Sequence, residues 1–306
     1  MANVTVLDGA MGDVLIERAG PVESGLWSAE ALIEDPELVA GVHRDYIAAG
    51  AEVITVNSYS TVPSYLGKVG RQDEYLSLAT RAGEIARSAA STATRHVRVA
   101  GSIPPLGESY RHDLVPPDEE AAVVYPALAA AAALLPFVDV FLCETMSCIR
   151  ESVNAAGGVR TALREAGEDR PLWLSWTLSE TPGAGLRSGE SISEALAAVE
   201  ELSVDAYLFN CTDPAAITQG LEELRDLTDK PMGAYPNRYH VPEGWTLDNE
   251  VQTQYREMTE EEFLGHCARW RDAGASLLGG CCGIGPELIG ALAHWSKHTE
   301  KARFDA

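Results

Sequence analysis

The sequence predicts a single-domain (β/α)8 barrel, and three observations carry that reading. Apolar, β-branched runs alternate with longer helical stretches through eight consecutive units. No shift in composition marks a linker, and 306 residues suit one barrel, which typically takes about 250. Residues 1–306 therefore read as one domain. Polar and ionisable residues also gather where the strands end and not where they begin, as barrels that carry chemistry on one face require. A doubly wound open sheet is the competing fold. Asp8-Gly9-Ala10-Met11-Gly12 after the first strand lacks the Gly-x-Gly-x-x-Gly fingerprint that such a sheet often shows.

The elements follow in order. Val4–Leu7 is the first strand. Asp35-Pro36-Glu37 opens a helix, with Asp as cap and Pro in the first turn, and Gly50 stops it. Glu52–Val56 is the second strand, and a helix covers about 73–93. Val97–Gly101 is the third strand, and Pro117-Asp118-Glu119-Glu120 opens an Ala-rich helix. Val138–Cys143 is the fourth strand, with a helix near 148–166. Leu172–Trp176 is the fifth strand, and Ser191-Ile192-Ser193-Glu194 reads as a capping box. Ala206–Asn210 is the sixth strand, followed by a helix capped at Asp213-Pro214. Pro231–Tyr235 is the seventh strand. The longest loop of the chain follows it, to about Met258, and could close over a site on that face. Thr259 begins a helix, Ser276–Gly279 is the eighth strand, and Pro286 opens the last helix.

The totals exclude several function classes. A net charge of −23 disfavours nucleic acid and anionic membranes as partners. Six cysteines are too few for a disulfide scaffold in a chain this long. The N-terminal segment lacks the basic leader of a signal peptide, and no run reaches the ~20 apolar residues of a membrane span. The expectation is a reduced, cytoplasmic protein.

The strand ends are Asp8, Asn57, Ser102, Glu144, Ser175–Trp176, Asn210–Cys211, Asn237 and Cys281–Cys282. Read singly, any of these cysteines is a small buried packing residue. Read together, Gly279-Gly280-Cys281-Cys282-Gly283 and the strand-end Cys211 point to a metal. Strands six and eight are separated by one strand, so their terminal thiols can converge. Three thiolates suit a tetrahedral Zn2+ with one position open. A substrate thiol bound there loses its proton and becomes a nucleophile at neutral pH. Cys143, Cys148 and Cys267 read as packing residues, and His240 is the one histidine placed to serve as a further ligand.

Leu7–Gly12, Gly101–Pro105, Glu144-Thr145-Met146, Asn210-Cys211 and Gly279–Gly283 together resemble the homocysteine S-methyltransferase family, in family order and over nearly the whole chain. The resemblance implies a zinc-bearing barrel that methylates L-homocysteine to methionine. It implies Cys211, Cys281 and Cys282 as zinc ligands, and Asp8 and Glu144 as contacts to the amino group and backbone of homocysteine. Gly9 and Ala10 would lie against that substrate. Tyr235-Pro236-Asn237 is similar to a segment that supplies a neutral oxygen to the metal in some members, which makes Asn237 the candidate resting fourth ligand. Anionic Asp8 and Glu144 in a cleft also suit an ammonium group on physical grounds.

The donors known for the stand-alone family are cationic at the methyl group. Trp27, Tyr59, Tyr65, Tyr110, Trp176, Tyr235, Tyr239 and Trp245 fall in or beside the active-face loops. Aromatic faces hold sulfonium and quaternary ammonium groups. Trp27 and Tyr59 are the foremost donor contacts in this reading, and a sulfonium such as S-methylmethionine is favoured over betaine. Two other readings stay open: a phosphate-binding barrel enzyme using Gly279-Gly280, and a non-catalytic thiol-binding protein.

Overall fold

Alternation decides which way each strand residue faces. In the computed structural model, which describes residues 3–20, 25–130, 133–242, 244–246 and 254–304, the predicted strands form at β1 (Thr5–Val6), β2 (Val53–Thr55), β3 (Arg98–Ile103), β4 (Val140–Met146), β5 (Leu172–Trp176), β6 (Ala206–Asn210), β7 (Met232–Tyr235) and β8 (Ala275–Leu278). Each pairs in parallel with its neighbour from β2 round to β7, then β8, then β1. A parallel bridge between Leu7 and Val53 joins the two ends of the sheet, so the barrel of the sequence reading is formed.

Two apolar layers result. Val53, Ala100, Val140, Leu142, Trp173, Ala206, Leu208 and Leu277 pack together with Leu7 and Tyr235 as a small cluster of their own. The alternate strand residues, among them Ile54, Val99, Phe141, Leu174, Tyr207 and Phe209, join the larger core that includes the helices. Trp176 belongs to this outer layer: it stacks on Tyr207 at 5.4 Å, and its indole N–H donates to Ser152. Tyr65 is likewise fully buried in that core. Their places in the sequence group both with the active-face aromatics, but the fold makes both packing residues.

Local chemistry explains the helix starts. Asp35 accepts from the Leu38 amide, with Pro36 in the first turn. Capping boxes form at Ser191 with Glu194 and at Thr259 with Glu262, and Asp213 accepts from the amides of Ala215 and Ala216. Three α-helices have no counterpart in the sequence reading, Met11–Ala19, Ser28–Glu34 and Pro63–Gly67. None carries a capping side chain, because Ala10, Trp27 and Val62 stand at their N-caps. Of the long loop after β7, Tyr239–His240 pairs antiparallel with Gln254–Tyr255. Its expected role as a lid falls partly on positions 243 and 247–253, outside the described residues.

Candidate active site

Two residues beyond the last inward-facing apolar positions, five strands turn polar. Val53 is followed by Thr55, Ala100 by Ser102, Leu142 by Glu144, Trp173 by Ser175, and Leu208 by Asn210. The pleat keeps this second set on the same face as the first. The polar ring at the C-terminal end of the barrel is therefore written into the strands themselves.

Hydrogen bonds fix most of that ring. Ser175 Oγ and the Thr145 amide donate to Asn210 Oδ1, and Asn210 Nδ2 donates to Thr145 Oγ1. Asn57 Nδ2 donates to the Ser28 carbonyl. Asp8 accepts from the Thr55 amide at 2.7 Å and from Thr55 Oγ1 at 2.9 Å. Glu144 accepts from Ser102 Oγ at 2.5 Å. Both carboxylates are nearly enclosed, 6% and 8% exposed. Burial pushes Asp8 up to about 6 against the pull of its Thr55 hydrogen bonds. Burial likewise raises Glu144 to about 7, opposed by Ser102 and reinforced by the charge of Asp8. The Tyr235 hydroxyl approaches Glu144 and Ser175 yet completes no hydrogen bond. Sequence reading places Tyr235 among the active-face aromatics but not beside Glu144, and it misses Thr55, which looks like an ordinary strand residue and is marked only by the inward alternation.

The cysteines come from two strand ends laced together through the segment after β7. The Cys211 amide donates to the Tyr235 carbonyl, the Cys281 amide to Pro236, and the Arg238 amide to the Cys282 carbonyl. The Gly280 amide donates to the Asp8 carbonyl, and the Gly283 amide donates to the Asp13 carboxylate at 2.6 Å. The sulfurs of Cys211, Cys281 and Cys282 all lie within 4.8 Å of one another. The Cα atoms of Cys211 and Cys281 are 5.7 Å apart, and their sulfurs are joined as a disulfide while Cys282 is free. The sequence reading places three separate thiolates here. Two strand ends with one strand between them come close enough for a bond as well as for a shared ion. Metal binding needs both sulfurs as thiolates, so disulfide and metal exclude each other.

The donor set fits a metal ion. Three sulfurs share one small volume with Asn237, which lines the same cavity. Asn237 is fully buried, the Tyr110 hydroxyl approaches it, and neither atom of its amide completes a hydrogen bond. A buried, unpaired amide in the same cavity as the thiol sulfurs fits the neutral oxygen ligand that the resemblance implies. His240 pairs instead with Glu180 at 3.1 Å and does not line this cavity.

The cavity itself holds about 460 Å3. Asp8, Asp13 and Glu144 line it, with no lysine, arginine or histidine among its described residues. Gly9, Ala10, Trp27 and Tyr59 line it, together with Tyr110, Tyr235, Tyr239 and Trp245. Trp27 meets Tyr59 edge-on at 5.8 Å, and Tyr110 meets Trp245 edge-on at 5.4 Å. Trp27, Tyr110, Thr145 and Cys211 all hold a positive φ between 49° and 66°. Such backbone costs about 1–3 kcal/mol each and gathers at functional sites.

Gly9 and Gly12 are required by contact. A Cβ on Gly9 would sit 2.2 Å from the Ile284 carbonyl, and one on Gly12 would sit 2.3 Å from the Trp27 indole. Gly12→Ala is expected to push Trp27 out of place. Overpacking of about 1–3 kcal/mol should appear as a lower melting temperature.

The Gly279-Gly280 turn is not a phosphate cradle. Its two amides donate to Ala234 and Asp8 carbonyls at 3.0 Å each, and the carboxylates beside it repel an anion.

Barrels with three cysteines converging on the C-terminal rim define a class, the thiol-centred α/β barrels able to hold a metal ion there, and this chain has that architecture. The homocysteine S-methyltransferase family profile matches residues 5–296, and the chain belongs to that family. Homocysteine S-methyltransferase YbgG of Bacillus subtilis is 29% identical over 309 residues, covering 95% of this chain and 94% of its own. The homocysteine methyltransferase MmuM of Escherichia coli, in its metallated form, superposes with a TM-score of 0.78 at 27% identity, covering 96% of both chains. Its oxidized form gives 0.77 at 28% identity with the same coverage.

Proposed function

We propose that this protein transfers a methyl group from a sulfonium donor to the thiol of L-homocysteine, giving methionine, at a zinc site formed by Cys211, Cys281 and Cys282. One observation carries the reading: three convergent sulfurs sit in a cavity lined by carboxylates and aromatic rings with no cationic side chain among its described residues. The names of the relatives support the acceptor, and the existence of a metallated form of MmuM supports a metal. Zinc matches the all-sulfur protein donor set.

Asp8 and Glu144 hold the ammonium group of homocysteine, and Thr55 and Ser102 hold those carboxylates in place. Gly9 and Ala10 let the substrate backbone approach the first turn. A zinc ion held by the three cysteines would acidify the substrate thiol and present its sulfur as a nucleophile. Asn237 stands where a resting ligand would yield to that sulfur. The aromatic walls of Trp27, Tyr59, Tyr110 and Trp245 hold the donor sulfonium. The homocysteine sulfur forms a bond to the donor methyl carbon as the donor C–S bond breaks. The electron pair leaves on a neutral thioether, so positive charge vanishes and the rings oppose nothing. Held thiols of this kind need a reducing compartment, which supports a cytoplasmic location. Among the described residues no helix is long and apolar enough to cross a membrane.

The test is a methyl-transfer assay on reduced, zinc-loaded protein with L-homocysteine and S-methyl-L-methionine, S-adenosyl-L-methionine or betaine. Methionine formation with a sulfonium donor is expected. Tight homocysteine binding with no turnover on any donor would make it a thiol-binding protein, and turnover with betaine alone would overturn the sulfonium assignment.

A further inference from the structure

A second cavity of about 460 Å3 lies against the first and shares Tyr110, Val241 and Trp245 with it. Its charges differ in kind. The first cavity carries three carboxylates and no cation among its described residues, whereas the second is lined by Arg111 and Arg187 together with Asp113 and Glu180. Arg111 is bound to Asp113 by two hydrogen bonds at 2.8 and 2.7 Å, and Arg187 donates to the Val241 carbonyl at 2.9 Å, so the charges this chamber turns toward a zwitterion are Arg187 and Glu180, 3.8 Å apart.

Tyr110 is the wall between the two. The Arg187 guanidinium lies 5.1 Å from the centre of its ring. Its hydroxyl approaches Asn237, which lines the first cavity. A positive φ of 66° holds it in that position. Trp245 packs edge-on against it, and the Trp245 indole N–H is buried with no acceptor among the described residues. A buried donor without a partner in a wall common to both cavities awaits an acceptor. Glu180 is held by His240 at 3.1 Å and, more loosely, by Arg256 at 3.7 Å and Arg187 at 3.8 Å.

We propose that the second chamber is the subsite for the α-amino-acid end of the methyl donor, with Arg187 and the Trp245 indole N–H receiving its carboxylate and Glu180 its ammonium group. The inference rests on the sulfonium reading above. The carboxylate of an amino-acid sulfonium finds no cationic side chain in the first cavity, and the adjoining guanidinium groups are those of the second. Four bonds separate the sulfonium sulfur from the carboxylate carbon in such a donor, a reach of about 5 Å. That is comparable to the Tyr110 side chain it must pass. S-Methyl-L-methionine and S-adenosyl-L-methionine share this headgroup, while simple alkyl sulfoniums lack it.

Calorimetric titration of the zinc-loaded protein with S-methyl-L-methionine and with dimethylpropylsulfonium, which keeps the sulfonium and lacks both headgroup charges, tests the chamber without requiring turnover. Wild type is expected to bind the amino-acid sulfonium roughly tenfold or more tightly than the plain one. Arg187→Met and Glu180→Gln should each remove most of that preference while leaving dimethylpropylsulfonium and homocysteine binding unchanged. Equal binding of the two sulfoniums by wild type, or an undiminished preference in both variants, would overturn the proposal and leave the cluster a structural ion-pair network. Chamber-dependent binding with no methyl transfer would instead leave the subsite standing and remove the methyltransferase reading.

Discussion

Cys282→Ser is expected to abolish methyl transfer, lowering kcat/KM by on the order of a thousandfold or more. Loss of residues that merely support a metal ligand costs about 10–100-fold, and loss of a ligand itself costs more. Cys282 is the informative position because it stands apart from the Cys211–Cys281 pair and is only partly buried. A serine there disturbs no core packing, so the thermal unfolding of the metal-free protein should barely change. Cys267 supplies the control. It is fully buried in the Glu260–Asp272 helix, away from the cavity. Cys267→Ala should lower stability by about 1 kcal/mol and leave kcat/KM intact. A Cys282→Ser enzyme with wild-type turnover would remove the metal from the account.

Glu144→Gln is expected to raise the homocysteine KM on the order of a hundredfold, since breaking a buried charged hydrogen bond to an ammonium costs about 2–5 kcal/mol. The pH dependence follows from the same group. Glu144 is raised to about 7 and Asp8 to about 6, in both cases chiefly by burial. As pH falls below 7, Glu144 and then Asp8 take up protons, and the attraction for an ammonium is lost. Homocysteine KM should therefore rise as pH drops from 8 to 5.5, and Glu144→Gln should flatten that rise. The free protein should show the opposite trend in stability. Its folded state holds these two protons to higher pH than the unfolded chain does, so the pair destabilises the free protein increasingly as pH climbs from about 4 to about 7. Homocysteine should then stabilise the protein more at pH 8 than at pH 5.5 in thermal-shift measurements. A pH-independent thermal shift would contradict the role given to this pair.

Much of this is legible in the sequence because barrels are built from local signals. Strand runs, helix caps such as Asp35, Ser191, Asp213 and Thr259, and the polar strand ends all depend on neighbours a few residues apart. The helices Met11–Ala19, Ser28–Glu34 and Pro63–Gly67 escape because they start without caps. The aromatics separate only in three dimensions. Trp176 sits one residue past inward-facing Ser175, so the pleat sends it outward into the core, while Tyr110 and Trp245 meet across 135 positions of chain at the wall of two cavities. Thr55 looks like a strand residue, and its service to Asp8 needs the closure of β1 against β2. The Cys211–Cys281 bond depends on how closely β6 and β8 converge, a distance that no local pattern records.

In the proposed function three cysteines hold a zinc ion whose remaining position receives the substrate thiol. Zinc content and zinc-edge X-ray absorption of the reduced protein, with and without L-homocysteine, test it most directly. About one zinc per chain is expected, bound by three sulfurs and one lighter atom, with a fourth sulfur replacing the lighter atom when homocysteine is added. Reduced protein that takes up no zinc, or a coordination sphere that homocysteine leaves unchanged, would contradict it.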